Sequence, residues 1–367
     1  MPTKREKYLA SLRRKPLDDS LVWAPNFEYW LAYNTHAGTL PAKYVGMRRD
    51  DIVRAVGASI WSRARGVRRV LDSSVNERTE MLPNGGRRHI YETPVGMIYE
   101  DYLPAESAAA TMVLTKHFIV TLDDLRTMLY VTEATHYEAD DEPACLARDE
   151  AGDDGVVLHA EFCVPFLQFA KTDAGYVNGI YMWIDEPERV EALVDAHARN
   201  ALSICRLLRK SPADIIACND NMDELTMTPD LFRRYAIPFY QACREAIAGS
   251  GKLFEAHWCG RTPHLLPMVP ETGLGVVEAV VTQPMADITL EDALTHLDGK
   301  VTLQGGIPSI YMSAEATNRE MFVNYIRDTI LPLKGRPGFV LGMSDNVPPD
   351  ADFERVEMVA DLIGSAL

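Results

Sequence analysis

From about residue 120 onward the chain alternates short apolar runs with long amphipathic ones, and this rhythm restricts the fold more than any other feature. The short runs are GVVLHA (155–160), ADIIACN (213–219), KLFEAH (252–257), GVVEAV (275–280), VTLQGG (301–306) and GFVLGM (338–343). Helical patterns separate them at 186–210, 228–249, 261–272, 289–297, 313–331 and 351–366. Several open on capping signals, such as Thr228-Pro229-Asp230 and Ser313-Ala314-Glu315. Strands recurring at roughly 25–40 residue intervals with helices between them form right-handed βαβ units on a parallel sheet. LVWAP (21–25) reads as another buried strand, and one more is expected near 178–183. The count reaches about eight, so the expected fold is α/β, a (β/α)8 TIM barrel, with an open doubly wound sheet as the fallback.

The early part of the chain has a different texture. Residues 3–15 read as a basic amphipathic helix and 47–60 as a second helix. Between 67 and 103, β-branched and aromatic residues alternate with charges, and turns fall at Pro83-Asn84-Gly85-Gly86 and Pro94–Gly96. This segment is expected to be a small antiparallel β insertion near the N-terminus of one barrel domain spanning 1–367.

The chain has 367 residues, and its hydrophobic content of 47% is enough for a large core, which excludes a disordered chain. No run of about 18 apolar residues exists to cross a membrane. A net charge of −16 argues against nucleic acid as a partner. That charge is uneven: the first hundred residues are mildly basic and 131–190 strongly acidic, a pattern suited to a solvated surface or to docking a charged partner. Cys145, Cys163, Cys205, Cys218, Cys243 and Cys259 show no short-spaced pair, and MPTKREKYLASLRRKP has no apolar signal core; both point to the cytoplasm. No GxGxxG or Walker loop follows any strand.

In parallel α/β folds, function sits where strands end. His257-x-Cys259 offers imidazole and thiolate, the ligands zinc prefers, with Gly260 allowing the chain to turn. The alternative is a buried histidine beside a core cysteine. Asn219–Glu224 packs Asp220, Asp223 and Glu224 with Asn219 and Asn221 into one loop, suited to a polar substrate, a water or a metal, or to simple helix capping. Gln304 precedes two glycines that either admit a ligand or make a tight turn. Phe27, Tyr29 and Trp30, with Tyr33, either wall an apolar pocket or belong to the core. Glu278 and Met343–Asn346 end the remaining strands.

Several segments in order resemble the uroporphyrinogen decarboxylase superfamily: ETPVG (92–96), residues 215–241, EAHWCG (255–260), ETGLGVVEAV (271–280), PMADITLEDAL (284–294), LQGGI (303–307) and LGMSDNVPPDADFERV (341–356). The resemblance implies a single (β/α)8 barrel. The true decarboxylases carry an arginine-bearing RQAGR segment after the first strand, whereas this chain reads APNFEYWLAYN (24–34) there. Aromatic rings cannot replace guanidinium forks for a substrate with many carboxylates. The resemblance is therefore closer to the corrinoid-dependent methyltransferase branch, whose thiol-activating members hold zinc with H-x-C and a distant cysteine.

His257 and Cys259 match the first pair. No cysteine follows Cys259, and the third position falls at Asp345, with Glu224 as a substitute. The resemblance implies a demethylating methyltransferase subunit with zinc at His257, Cys259 and Asp345. It would act on a small methylated compound together with a corrinoid carried on a partner protein, as a homodimer, with no membrane or nucleic acid involved. In this reading Asp220, Glu224 and His257 are catalytic, and Phe27, Tyr29, Trp30, Asn221 and Gln304 bind substrate. Two alternatives stand beside it: a decarboxylase or lyase on a small carboxylic acid using the Asp220–Glu224 cluster, and a non-catalytic small-molecule-binding barrel.

Overall fold

The computed structural model describes residues 2–105 and 108–364. Among the described residues thirteen strands follow in chain order: β1 (Ile60–Arg63), β2 (Val67–Leu71), β3 (Asn76–Met81), β4 (Arg87–Thr93), β5 (Gly96–Ala105), β6 (Ala108–Lys116), β7 (Thr135–Ala139), β8 (Gly155–Phe162), β9 (Ile215–Cys218), β10 (Leu253–His257), β11 (Val276–Val280), β12 (Thr302–Ile307) and β13 (Phe339–Met343). Seven of them form one parallel sheet in the order β1-β8-β9-β10-β11-β12-β13. Its two edges meet through residues 22–24. Ala24 N–H donates to Leu341 O and Leu341 N–H to Val22 O, both at 2.9 Å, while Ser59 N–H donates to Trp23 O at 2.7 Å. LVWAP thus takes the eighth position, and the sheet curls into the expected (β/α)8 barrel.

Two strand assignments differ from expectation. Residues 178–183 lie in the helix Tyr176–Asp185, because a segment apolar on most sides has no period that separates a strand from a helix. The true second barrel strand is β1, which the sequence pattern merges into a helix over 47–60; that helix ends at Ala55. The antiparallel region appears near the N-terminus as expected, with β3-β4-β5-β6 as one sheet and β2 paired with β7 as another. It runs on past residue 103, through β6 and the return strand β7. The C-terminal helix is Phe353–Gly364, and the last two residues of the expected 351–366 helix lie outside the described residues.

The N-terminal helix, Lys4–Leu12, opens with a capping box between Thr3 and Glu6. Its Tyr8 and Leu12 join Val22, Trp61, Val156, Leu158, Ile215 and Val340 in the barrel interior, closing its N-terminal end. Each such fully buried apolar side chain contributes about 1.5–3 kcal/mol. The Arg5 guanidinium clamps this helix to Asp214 and to Gly155 O at 2.8 Å. The opposite, C-terminal end of the barrel stays polar, and it carries the candidate site. No described helix is long and apolar enough to cross a membrane.

Candidate metal centre at the barrel mouth

Strand β10 ends on His257, and the parallel register sets Glu278 of β11 directly beside it. Their side chains share the inner face, and His257 Nδ1 hydrogen-bonds Glu278 Oε2. Burial works against a charged imidazole here, but the Glu278 carboxylate and the Cys259 thiol outweigh it and hold His257 protonated well above its ordinary range. With Nδ1 engaged, Nε2 faces the mouth and lies 3.6 Å from Asp345 Oδ1, on the loop after β13. Burial raises the Asp345 carboxyl above its usual range. Ligand atoms of His257, Cys259 and Asp345 all lie within 4.8 Å of one another. Nitrogen, sulfur and oxygen donors in one cluster, the imidazole oriented by a carboxylate, are the donor chemistry of a zinc site.

Beneath this cluster Glu255 is buried in β10, and no protein group hydrogen-bonds its Oε2. Burial, then the neighbouring Glu278, push its carboxyl up to about 8, so it is largely neutral at pH 7. Beside Glu278, Ala279 adopts φ 67° at the point where the β11–β12 register shifts. A left-handed alanine costs about 1–2 kcal/mol, a strain held next to the residue that orients His257.

A polar cavity of about 360 Å³ opens above the three donors. Asn26, Glu28 and Tyr29 wall it on one side, Arg63 from the end of β1 on another, and Asn219, Asn221 and Asn346 complete it. Tyr29 and Asn221 therefore stand where substrate contacts are expected. Phe27 and Trp30 do not: both are core, packed on Phe353, with Trp30 stacked at 3.8 Å between ring centroids. Gln304 lies inside the barrel, accepting from Tyr8 Oη at 2.8 Å.

Asp220 and Glu224 are also turned away from the cavity. Asp220 is fully buried, accepting from Val164 N–H at 2.8 Å and Tyr240 Oη at 2.5 Å. Glu224 accepts from the His264 backbone N–H at 3.0 Å. Their loop is a structural tie between β9 and β10. Gly260 serves the same tie: its φ is not in the left-handed region, but a Cβ there would sit 2.4 Å from Met222 O. Close approach, not a turn, requires the glycine.

Burial pushes the Asp220 carboxyl up to about 6 despite its two donors. The folded state then binds this proton more tightly than the unfolded chain, so the contribution is complete below about pH 4 and lost as pH rises through about 6. In urea titrations, the stability advantage of wild type over Asp220→Asn should shrink by up to about 3 kcal/mol between pH 4 and 7. An advantage that grows with pH contradicts this reading.

Arg63 and Glu28 were not expected at the site. No sequence pattern marks Arg63, because its short strand β1 reads as part of the preceding helix. Glu278 stands among the strand ends, but its bond to His257 depends on register between neighbouring strands, which one sequence does not display.

A barrel with its donors and cavity at the C-terminal mouth defines a (β/α)8 protein of the kind that does chemistry at strand ends. The family model described as uroporphyrinogen decarboxylase (URO-D) matches residues 166–365, more than half of the chain, and the chain belongs to that family. Uroporphyrinogen decarboxylases of Tropheryma whipplei strains Twist and TW08/27 are each 28% identical over 109 residues, 30% of this chain and 26% of theirs. The matched region thus spans about a quarter of the length of these curated relatives. A solved methyltransferase from Methanosarcina mazei shares the fold with a TM-score of 0.61 at 13% identity, covering 99% of both chains.

Proposed function

We propose that the chain is a methyltransferase subunit. In this reading it moves a methyl group between a small methylated compound, methoxylated aromatics included, and a corrinoid carried on a partner protein. His257, Cys259 and Asp345 would hold a zinc ion, and their convergence within 4.8 Å is the observation that carries the proposal. Zinc bound there supplies a Lewis acid that polarises the methyl-bearing heteroatom or holds an acceptor thiolate.

The remaining work falls to the chain's own groups. Glu278 fixes the tautomer and direction of His257, presenting Nε2 to the cavity. Arg63 offers a guanidinium to an anionic substituent such as a ring carboxylate. Tyr29 supplies an aromatic face, and the amides of Asn219, Asn221 and Asn346 supply directional hydrogen bonds. The fold shared with the Methanosarcina mazei methyltransferase agrees with this assignment.

A second reading, a decarboxylase or lyase on a small carboxylic acid, draws support from the family and from Arg63. The acid–base pair it calls on, Asp220 and Glu224, is instead engaged by Val164, Tyr240 and His264 away from the cavity. Methyl transfer from a panel of methoxyarenes and simple methylated compounds to a reduced corrinoid protein separates the two. Turnover that disappears with metal removal supports the proposal. Decarboxylation without metal, and no methyl transfer across the panel, supports the second reading.

A further inference from the structure

A second cavity, of about 300 Å³, lies between the β insertion and the barrel, away from the three donors. We propose that it is a binding site for an organic cation, an amine or ammonium group carried on a ring-sized apolar body. Its apolar wall is aromatic: Tyr91 and Phe118 stack with ring centroids 5.1 Å apart, and Tyr102, Tyr137 and Phe162 add further rings. Aromatic faces attract cations as well as apolar surface.

The polar wall carries three carboxylates, Glu100, Glu161 and Asp173. The cations beside them are already matched. Arg69 pairs with Glu77 and donates to Tyr91 Oη at 2.5 Å. His89 bridges Glu77 at 2.7 Å and Glu100 at 3.2 Å. His197 meets Asp173 at 2.8 Å. Glu161 accepts from the backbone N–H of Gly66, at 2.6 Å, and of Val67, with the Arg65 guanidinium nearby, but no side chain among the described residues hydrogen-bonds it; burial still raises its carboxyl above the usual range. An anion entering here would meet these carboxylates with no free guanidinium on the wall. Arg69 already stands over the Tyr91 ring and Arg87 over Tyr102, so an incoming ammonium would meet Glu161 together with the rings of Tyr137 and Phe162.

The cavity neighbours the mouth without sharing a lining residue with it. Phe162 and Cys163 line it at the end of β8, while Phe162 O accepts from the N–H of Asn219, a residue of the first cavity. Occupancy of one cavity is therefore one backbone hydrogen bond from the wall of the other.

Met128 lines this cavity, so spectra of the full chain carrying methyl-labelled methionine report binding without any substitution. The probes are 2-phenylethylammonium, 2-phenylethanol as its neutral counterpart and phenylacetate as an anion. The amine should shift the Met128 signal saturably, at least about tenfold more tightly than the alcohol, and phenylacetate should not saturate. Glu161→Gln, which keeps the acceptor for Gly66, should weaken the amine about fivefold or more. His257→Ala should leave amine binding unchanged, so failure of the zinc site and failure of this site are distinguishable. Equal binding of amine and alcohol, preference for phenylacetate, or no saturable Met128 response to the amine overturns the proposal.

Discussion

Replacing His257 with alanine is expected to lower zinc affinity at least about a hundredfold and to reduce methyl transfer to background. The imidazole is the most deeply placed of the three donors, and its Nδ1 is held by Glu278. The same logic orders a series. Glu278→Gln keeps all three donors but weakens the hold on the imidazole, and should cost about 10–100-fold in metal affinity. Cys259→Ser should fall nearer to His257→Ala, because a hydroxyl is a far poorer zinc ligand than a thiolate. Competition titrations against a chelator read the series. Equal affinities for wild type and His257→Ala would remove the histidine from the site.

The largest stability effect is expected at Arg355, on the C-terminal helix. Its guanidinium is buried and donates to Tyr311 O at 2.6 Å, Thr317 O at 2.7 Å and Thr317 Oγ1 at 2.8 Å. These bonds pin the loop after β12 against the final helix. The same loop reaches the mouth, where Ser309 Oγ donates to Asn346 O at 2.8 Å. Arg355→Met fills much of the volume but leaves those oxygens without their donor, and should destabilise by about 3–5 kcal/mol. Urea unfolding measures it. A loss below about 1 kcal/mol would mean that the loop finds other partners.

Much of the barrel is legible in the sequence, because strands buried on both faces read as continuous apolar runs between amphipathic helices. β8 through β13 all appear in that way. β1 is lost because Ile60–Arg63 is only four residues long and the helix stop before it, Gly57 at φ 72°, is a single residue inside an otherwise helical pattern. The helix Tyr176–Asp185 is mistaken for a strand because it leaves Val177, Tyr181 and Ile184 exposed, so its apolar residues do not mark a single buried face.

The site divides along the same line. His257 and Cys259 are legible because both donors lie within three residues. Asp345 follows from the family resemblance alone, by its place before PDADFERV. Arg63 and Glu28 come from distant elements that only the closed barrel brings to the cavity. Asp220 and Glu224 look reactive by residue type, yet Tyr240 and His264 engage them outside the cavity lining.

Cobalt(II) substitution of the stripped protein shows whether His257, Cys259 and Asp345 hold a metal ion. One cobalt per chain is predicted, with a thiolate-to-cobalt charge-transfer band that is lost in Cys259→Ser and, with the ion itself, in His257→Ala. Affinity should fall on acidification, because the ion competes with the proton that Glu278 and Cys259 favour on His257. Failure to bind stoichiometric cobalt or zinc at any pH where the chain is folded, or a cobalt spectrum unchanged by Cys259→Ser, would contradict the account.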